Sequence, residues 1–264
     1  MSPCHRRRLS SSGALWGIVG AKEGVVPSDR AHRQHSQDVA QAGEVFGWFN
    51  PYGRRVSVSE PANPQAGGGF NWPEQTASGG ADYGRFVEAV RELQDHARAA
   101  NAPDEVVTEA ANLIATVSQL LAPYDTDEWT SPSGRRADLP NRGNILQVPA
   151  SLKVTADGRV AGDVLFRRYH LGRNGAAHGG AVALLFDSLL GYTAFRLTDG
   201  RAQRTAYLHV DYRRIVTVEK QLKVDAGIDQ TVGRKIFVSG RILDGSEVLA
   251  EGHALFVKLK PGQP

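Results

Sequence analysis

Cysteine is almost absent: Cys4 is the single one in 264 residues, and it lies in a stretch with no sign of a fold. That excludes a disulfide scaffold and cysteine-based metal sites, and a reducing cytoplasm is the natural setting. The eight histidines are scattered without paired metal-ligand spacing, so neither a metal nor another cofactor is expected. No apolar run approaches the roughly 18 residues needed to cross a bilayer, so no membrane association is expected. Charge of one sign is not in excess either. A net charge of +3 with pI ≈ 9.1 does not demand nucleic acid, and no nucleic-acid motif is present, yet it suits an anionic small substrate. Arg6, Arg7 and Arg8 precede a short apolar patch at Ala14 to Ala21, faintly like a secretory leader. Gly17 and Gly20 interrupt it and no clear cleavage site follows, so a disordered or misassigned start is the reading adopted.

The chain divides into zones. Residues 1–80 are rich in Gly, Pro, Ser and Gln, as in Pro61–Ala62–Asn63–Pro64, and read as a disordered or loosely ordered extension. Val45–Phe46–Gly47–Trp48–Phe49 is its one apolar cluster, a candidate for docking elsewhere. In residues 81–123, Phe86, Val90, Leu93 and Ala97 recur at helical spacing. After a break at Asn101–Ala102–Pro103, Val107, Ile114, Val117 and Leu121 do the same, which predicts a helical hairpin closed by Pro123. Residues 124–144 read as a connector.

From 145 to 260 the pattern is β-rich. Ser151–Asp157 and Arg159–His170 flank Asp157–Gly158, a two-residue hairpin signal. His178–Phe195 is long and apolar enough for a helix. Strands are expected at Arg204–Ile215, Gln221–Ile228, Gly233–Leu243 and Glu247–Leu259, the last two joined at Asp244–Gly245. Short links imply an antiparallel sheet.

The segment Ala181–Tyr192 is apolar nearly all round, which predicts a buried helix wrapped by a curved antiparallel sheet. Asp187 is anomalous there. A buried carboxylate costs several kcal/mol unless paired, and such groups gather at functional sites. The competing reading is an acid facing a solvent gap or an arginine and only orienting the helix. The helix starts in small residues, Ala176–Ala177–His178–Gly179–Gly180. Glycines let a substrate approach the backbone, and free N–H groups in a first helical turn suit a carbonyl oxygen gaining negative charge. A tight loop is the plainer explanation of the same motif. Asp187 follows Gly179 by eight residues, about 12 Å along a helix. If both act on one carbonyl, they come from two copies of the chain, in a dimer with sites at its interface.

His178–Gly179–Gly180–Ala181 with an acid in the following apolar helix, then Arg204–Thr205–Ala206–Tyr207–Leu208–His209–Val210–Asp211–Tyr212–Arg213–Arg214, resembles the PaaI-type acyl-CoA thioesterases of the hotdog superfamily. The resemblance covers roughly residues 145–260. It implies an α+β hotdog fold, an antiparallel sheet wrapped around a long central helix, here preceded by the helical hairpin and the disordered extension. It also implies an acyl-CoA substrate, a homodimer or dimer of dimers, and four site residues. Asp187 would be general base or nucleophile, and the Gly179 N–H would polarise the carbonyl. His178 would shape the site, and Thr205 would help position the attacking water. Alone, Thr205 is only a β-branched strand residue. Relatives carry an Asn or Gln shortly before the glycines. Asn174 is the sole candidate, at an offset that does not match, and a turn at Asn174–Gly175 explains it equally well. Gly180, Arg213 and Arg214 complete the expected substrate contacts, with Lys220, Arg234 and Lys235 as further partners for CoA phosphates. The alternatives are a hotdog dehydratase or hydratase using His178 with Asp187, and a non-catalytic acyl-CoA-binding or assembly module. The second has no reason to bury Asp187.

Overall fold

The computed structural model describes residues 75–126, 130–200 and 203–260, all within one compact unit, Val58–Pro264. The expectations about Cys4, the leader-like start, the apolar cluster at 45–49 and an extension up to residue 74 fall outside the described residues.

Two helices come first, α1 (Tyr83–Ala99) and α2 (Asp104–Leu121). Pro103 caps α2, and Asp104 and Glu105 in its first turn complement the helix dipole. Beyond Leu121 the chain tightens into a 3-10 turn, Ala122–Tyr124, around Pro123. The face of α1 that is buried carries Tyr83, Val87 and Arg91. The expected stripe fares differently: Phe86 and Val90 are half-buried, while Leu93 and Ala97 are exposed. A polar clasp sets this rotation. Arg167 pairs with Asp95 at 2.7 Å and with Glu88, and the Tyr169 N–H donates to Asp95 Oδ1 at 3.0 Å. Helix α2 buries no residue.

The remainder forms β1 (Ala150–Val154), β2 (Val160–Leu165), α3 (Gly179–Arg196), β3 (Gln203–Tyr212), β4 (Gln221–Val232), β5 (Lys235–Asp244) and β6 (Glu247–Lys258). The sheet order is β1-β2-β4-β5-β6-β3, with every neighbouring pair antiparallel. It is the expected arrangement, a sheet wrapped on one helix. Two boundaries differ most from the expected ones. β2 stops at Leu165 because Arg168–His170 turn into a 3-10 helix, held by the Arg167 N–H on His170 Nδ1 at 2.9 Å. β4 runs past Ile228 to Val232 because a bulge at Asp229 restores its pairing with β5.

Burial on β5 alternates, with Ile236, Val238, Gly240 and Ile242 facing inward, as a sheet with one covered face requires. Against that face lie Val182, Leu185, Phe186, Leu189 and Leu190 of α3, each at most 1% exposed. Burial of each such side chain contributes about 1.5–3 kcal/mol. The helix approaches the sheet closely over one register pair, Gly240 opposite Gly252. A Cβ at Gly252 would stand 2.4 Å from the Phe186 ring, and one at Gly240 3.0 Å from Leu190. Glycine is needed at Gly252 for space rather than for backbone freedom.

Candidate active site

The start of α3 is held from both sides before any site residue is placed. The His178 N–H donates to His170 O at 2.7 Å, and the Ala177 N–H donates to Val216 O at 2.7 Å. Asn174 (φ 53°) and Gly175 (φ 76°) turn the chain between them. Asn174 is exposed at that turn, so the structure gives it a turn role. His178 caps the helix: its Nδ1 accepts the Gly180 N–H at 3.0 Å. The Tyr212 hydroxyl donates to the Gly179 carbonyl at 2.9 Å, fixing that peptide. The Gly179 N–H itself has no acceptor among the described residues. It is a donor already oriented, at the positive end of an 18-residue helix.

Two turns on, Asp187 Oδ1 accepts the Thr205 hydroxyl at 2.9 Å. Thr205 stands at a bulge in β3, since Thr205 opposes Phe256, Tyr207 opposes Leu255, and Ala206 is left over. Bulges re-aim side chains, and this one directs Thr205 at the helix. Asp187 is exposed in the single chain, which corrects the expectation that it is buried. The sheet covers only one side of α3. On the other side Ala183, Leu184, Ser188, Gly191 and Tyr192 are only half-buried, so the all-round apolar character of the helix is not used up within one chain.

That open side borders a cleft of about 440 Å³. Its floor is the α3 stripe Asp187, Ser188, Gly191, Tyr192 and Phe195, with Thr205 and Gln203 from β3 and Phe256 from β6. Its far wall comes from the connector and the residues just after it: Asn141, Arg142, Asn144 and Gln147. Gln147 accepts the Ser188 hydroxyl, and Gln203 Nε2 donates to Gly191 O at 3.0 Å. Reading the sequence missed these connector residues. The nearest signal is the Asn or Gln expected before the glycines, for which Asn174 is the candidate in the sequence, whereas Gln147 is the residue beside the cleft.

Of the expected site residues, then, Asp187 and Thr205 meet at the cleft. His178, Gly179 and Gly180 share the helix start, about 12 Å away along α3. His178 and Asp187 are not paired in one chain. Arg213 and Arg214 lie beyond the end of β3 and are engaged, Arg213 with Glu251 at 2.8 Å and Arg214 with Glu247 at 3.1 Å. Lys220 is held by Asp244 at 2.5 Å, and Arg234 donates to Lys258 O at 2.9 Å. Beside the helix start, burial pushes the His170 imidazole down to about 4, with the nearby Asp95 acting in the opposite direction. Among the described residues, no cluster of three His, Cys, Asp or Glu is placed to hold a metal, and no helix is long and apolar enough to cross a membrane.

Residues 174–251 match the family model described as thioesterase superfamily. The chain is 35% identical over 95 residues to acyl-coenzyme A thioesterase THEM4 of Rattus norvegicus, covering 35% of this chain and 40% of the rat protein. The Xenopus laevis THEM4 is 37% identical over 95 residues, covering 35% of this chain and 42% of that protein. The chain thus spans about two fifths of the length of these relatives. A crystal structure of a thioesterase superfamily protein superimposes with a TM-score of 0.59 at 26% identity, covering 69% of this chain and 98% of the other. That share is larger than residues 145–260 can supply, so the similarity reaches into the connector and the helices before it.

Proposed function

We propose that the chain is a PaaI-type hydrolase that cleaves acyl-CoA thioesters, on the premise that residues 174–251, which match the thioesterase superfamily model, carry that chemistry on a hotdog fold. The observation that carries the reading is the Asp187–Thr205 hydrogen bond of 2.9 Å in the lining of the cleft. One carboxylate oxygen is oriented by Thr205, and the other is left to accept a proton.

In this mechanism water lies between Asp187 and the thioester carbonyl. Asp187 takes a proton as the water oxygen bonds to the carbonyl carbon. The carbonyl oxygen gains negative charge and is held by the Gly179 N–H at the head of α3. Collapse of that intermediate breaks the carbon–sulfur bond and returns the proton to the departing CoA thiolate. The separation of about 12 Å between Gly179 and Asp187 prevents one chain from serving a single carbonyl with both. A second copy facing the open side of α3 supplies the missing half and covers its half-buried apolar residues. Two-fold symmetry then gives two equivalent sites. The near absence of cysteine supports a cytoplasmic setting.

The test is hydrolysis of acyl-CoAs of graded chain length, followed by free thiol release, for the parent and for Asp187→Ala. Asp187 is exposed and makes one hydrogen bond, so the variant should keep its fold within about 1 kcal/mol. Its kcat should fall by about 10²–10⁴. An inert parent, or a variant as active as the parent, would remove Asp187 from catalysis and bring forward an acyl-CoA-binding module or a dehydratase.

A further inference from the structure

The fold does not account for the glycine at position 191. It lies inside α3, more than a turn before the helix ends at Arg196, and its backbone is ordinary helix. Glycine weakens a helix interior relative to alanine, because it has the most backbone freedom to lose. Gly252 leaves no space for a side chain, but nothing comparable presses on Gly191. A Cβ there would meet only the edge of the Phe256 ring, at 3.4 and 3.6 Å, which is ordinary van der Waals contact. Neither backbone conformation nor packing within the chain requires the side chain to be missing.

What its absence leaves open is the cleft, which Gly191 helps to line. Gly191 follows Asp187 on the same stripe of α3, about 6 Å along the helix, so the hollow begins one turn from the carboxylate. Beyond it the lining is apolar, from Tyr192 and Phe195 of α3, Phe256 of β6 and Leu152 of β1. Asp187 and Phe195 are about 12 Å apart along the helix, the length of a chain of about eight to ten carbons. The facing wall is polar, but its groups have partners of their own. Asn141 Nδ2 donates to Val148 O, Asn144 Oδ1 accepts the Leu146 N–H at 2.9 Å, and Arg142 is engaged as well.

We propose that Gly191 is a specificity-determining residue, and that the hollow it leaves seats the acyl arm of the thioester. That arm is an uncharged chain of about eight to ten carbons running from Asp187 toward Phe195. The proposal rests on the thioesterase reading. The phosphates of the CoA arm favour water, which leaves the apolar end of the cleft to the acyl arm. Each methylene seated there raises kcat/KM about fourfold, so selectivity builds along the chain until Phe195 is reached.

The experiment compares butanoyl-, hexanoyl-, octanoyl-, decanoyl- and dodecanoyl-CoA on the parent, Gly191→Ala and Gly191→Leu. In the parent, kcat/KM should climb with length and level off at about eight to ten carbons. The ratio of kcat/KM for decanoyl-CoA to that for butanoyl-CoA should fall about ten- to a hundredfold in Gly191→Leu, and by less in Gly191→Ala. The ratio separates exclusion of the chain from general damage to the site. Gly191→Ala should melt no lower than the parent, and by up to about 4 °C higher. A parent profile flat in chain length, an unchanged ratio in Gly191→Leu, or a lower melting temperature for Gly191→Ala overturns the proposal. So does a change in subunit number in Gly191→Leu, which would assign the glycine to a contact between copies. If the parent hydrolyses none of the five, the thioesterase reading fails on its own. The hollow is then read by calorimetric titration of the intact decanoyl-CoA: affinity at least tenfold weaker in Gly191→Leu upholds it, and no binding or unchanged binding overturns it.

Discussion

Replacing Gly252 by alanine tests whether the position of Asp187 is set by the sheet behind it. The added methyl would lie 2.4, 2.7 and 2.9 Å from three atoms of the Phe186 ring, where ordinary carbon contacts need about 3.5–4 Å. The ring must retreat by about 1 Å, yet Phe186 is fully buried and sits on the helix that presents Asp187. Overpacking of this kind costs 1–3 kcal/mol, and a rigid strand on one side with a helix on the other places this case near about 3 kcal/mol. For a fold of this size that lowers the melting temperature by about 6–12 °C. Displacing Asp187 by up to about 1 Å would also reduce kcat/KM by up to about 100-fold without touching substrate. Urea denaturation of Gly252→Ala, Phe186→Leu and the double variant measures the coupling. The smaller side chain should relieve the clash, so the double variant should be more stable than the two separate costs imply, by at least about 1 kcal/mol. A cost below about 0.5 kcal/mol for Gly252→Ala, or strict additivity, would refute the idea that this glycine sets the seat of α3.

Two further outcomes follow from the helix start. Gly179→Pro removes the N–H proposed to hold the oxyanion while keeping a residue favoured at the first position of a helix, and His178 (φ −60°, ψ 134°) already has the conformation that precedes proline. It should lower kcat by about 10²–10³ with little loss of helicity by circular dichroism, and full activity would exclude that donor. His170 should make stability acid-sensitive. Its folded value of about 4 lies below the unfolded 6.5, so the unfolded chain binds the extra proton between the two. Stability is then full above about pH 6.5 and declines toward pH 4, by about 3 kcal/mol in all. Denaturation at pH 7, 5.5 and 4.5 should show the decline in the parent and a shallower one in His170→Gln; equal slopes would count against it.

What could be read from the sequence was local. The turn at Asp157–Gly158, the strand expected at Gly233–Leu243 and the run Ala181–Tyr192 each carry their structure in neighbouring residues, and each element is found within two residues of where the sequence places it. Asp187 shows where this stops. The apolar surround of α3 implies burial on every side, but the sheet covers only one side of the helix, and Asp187 stands on the other. Arg142 and Gln147 could not be found by periodicity at all. They reach the cleft because Arg136 grips carbonyls 56 and 58 residues earlier in the chain, a long-range contact with no local signature. The clasp of Arg167 with Asp95 and Glu88 rotated α1 away from its apolar stripe for the same reason.

The strand order has a practical consequence for anyone cutting the protein down. The segment matched to the family, 174–251, starts after β2 and stops inside β6. A fragment excised at those borders would strip β4 of the six residues, Val160–Leu165, that pair with Gln221–Ala226, and leave that row of backbone donors and acceptors bare. It would also lose the end of β6 that joins Lys235–Gly240 to Gln203–Val210, opening the sheet on its other side. Unpaired edges of this kind template association between chains, so the fragment should precipitate or form fibres rather than fold. The borders of the matched segment and the borders of the paired sheet are different objects in this protein, and the second runs from Ala150 to Lys258.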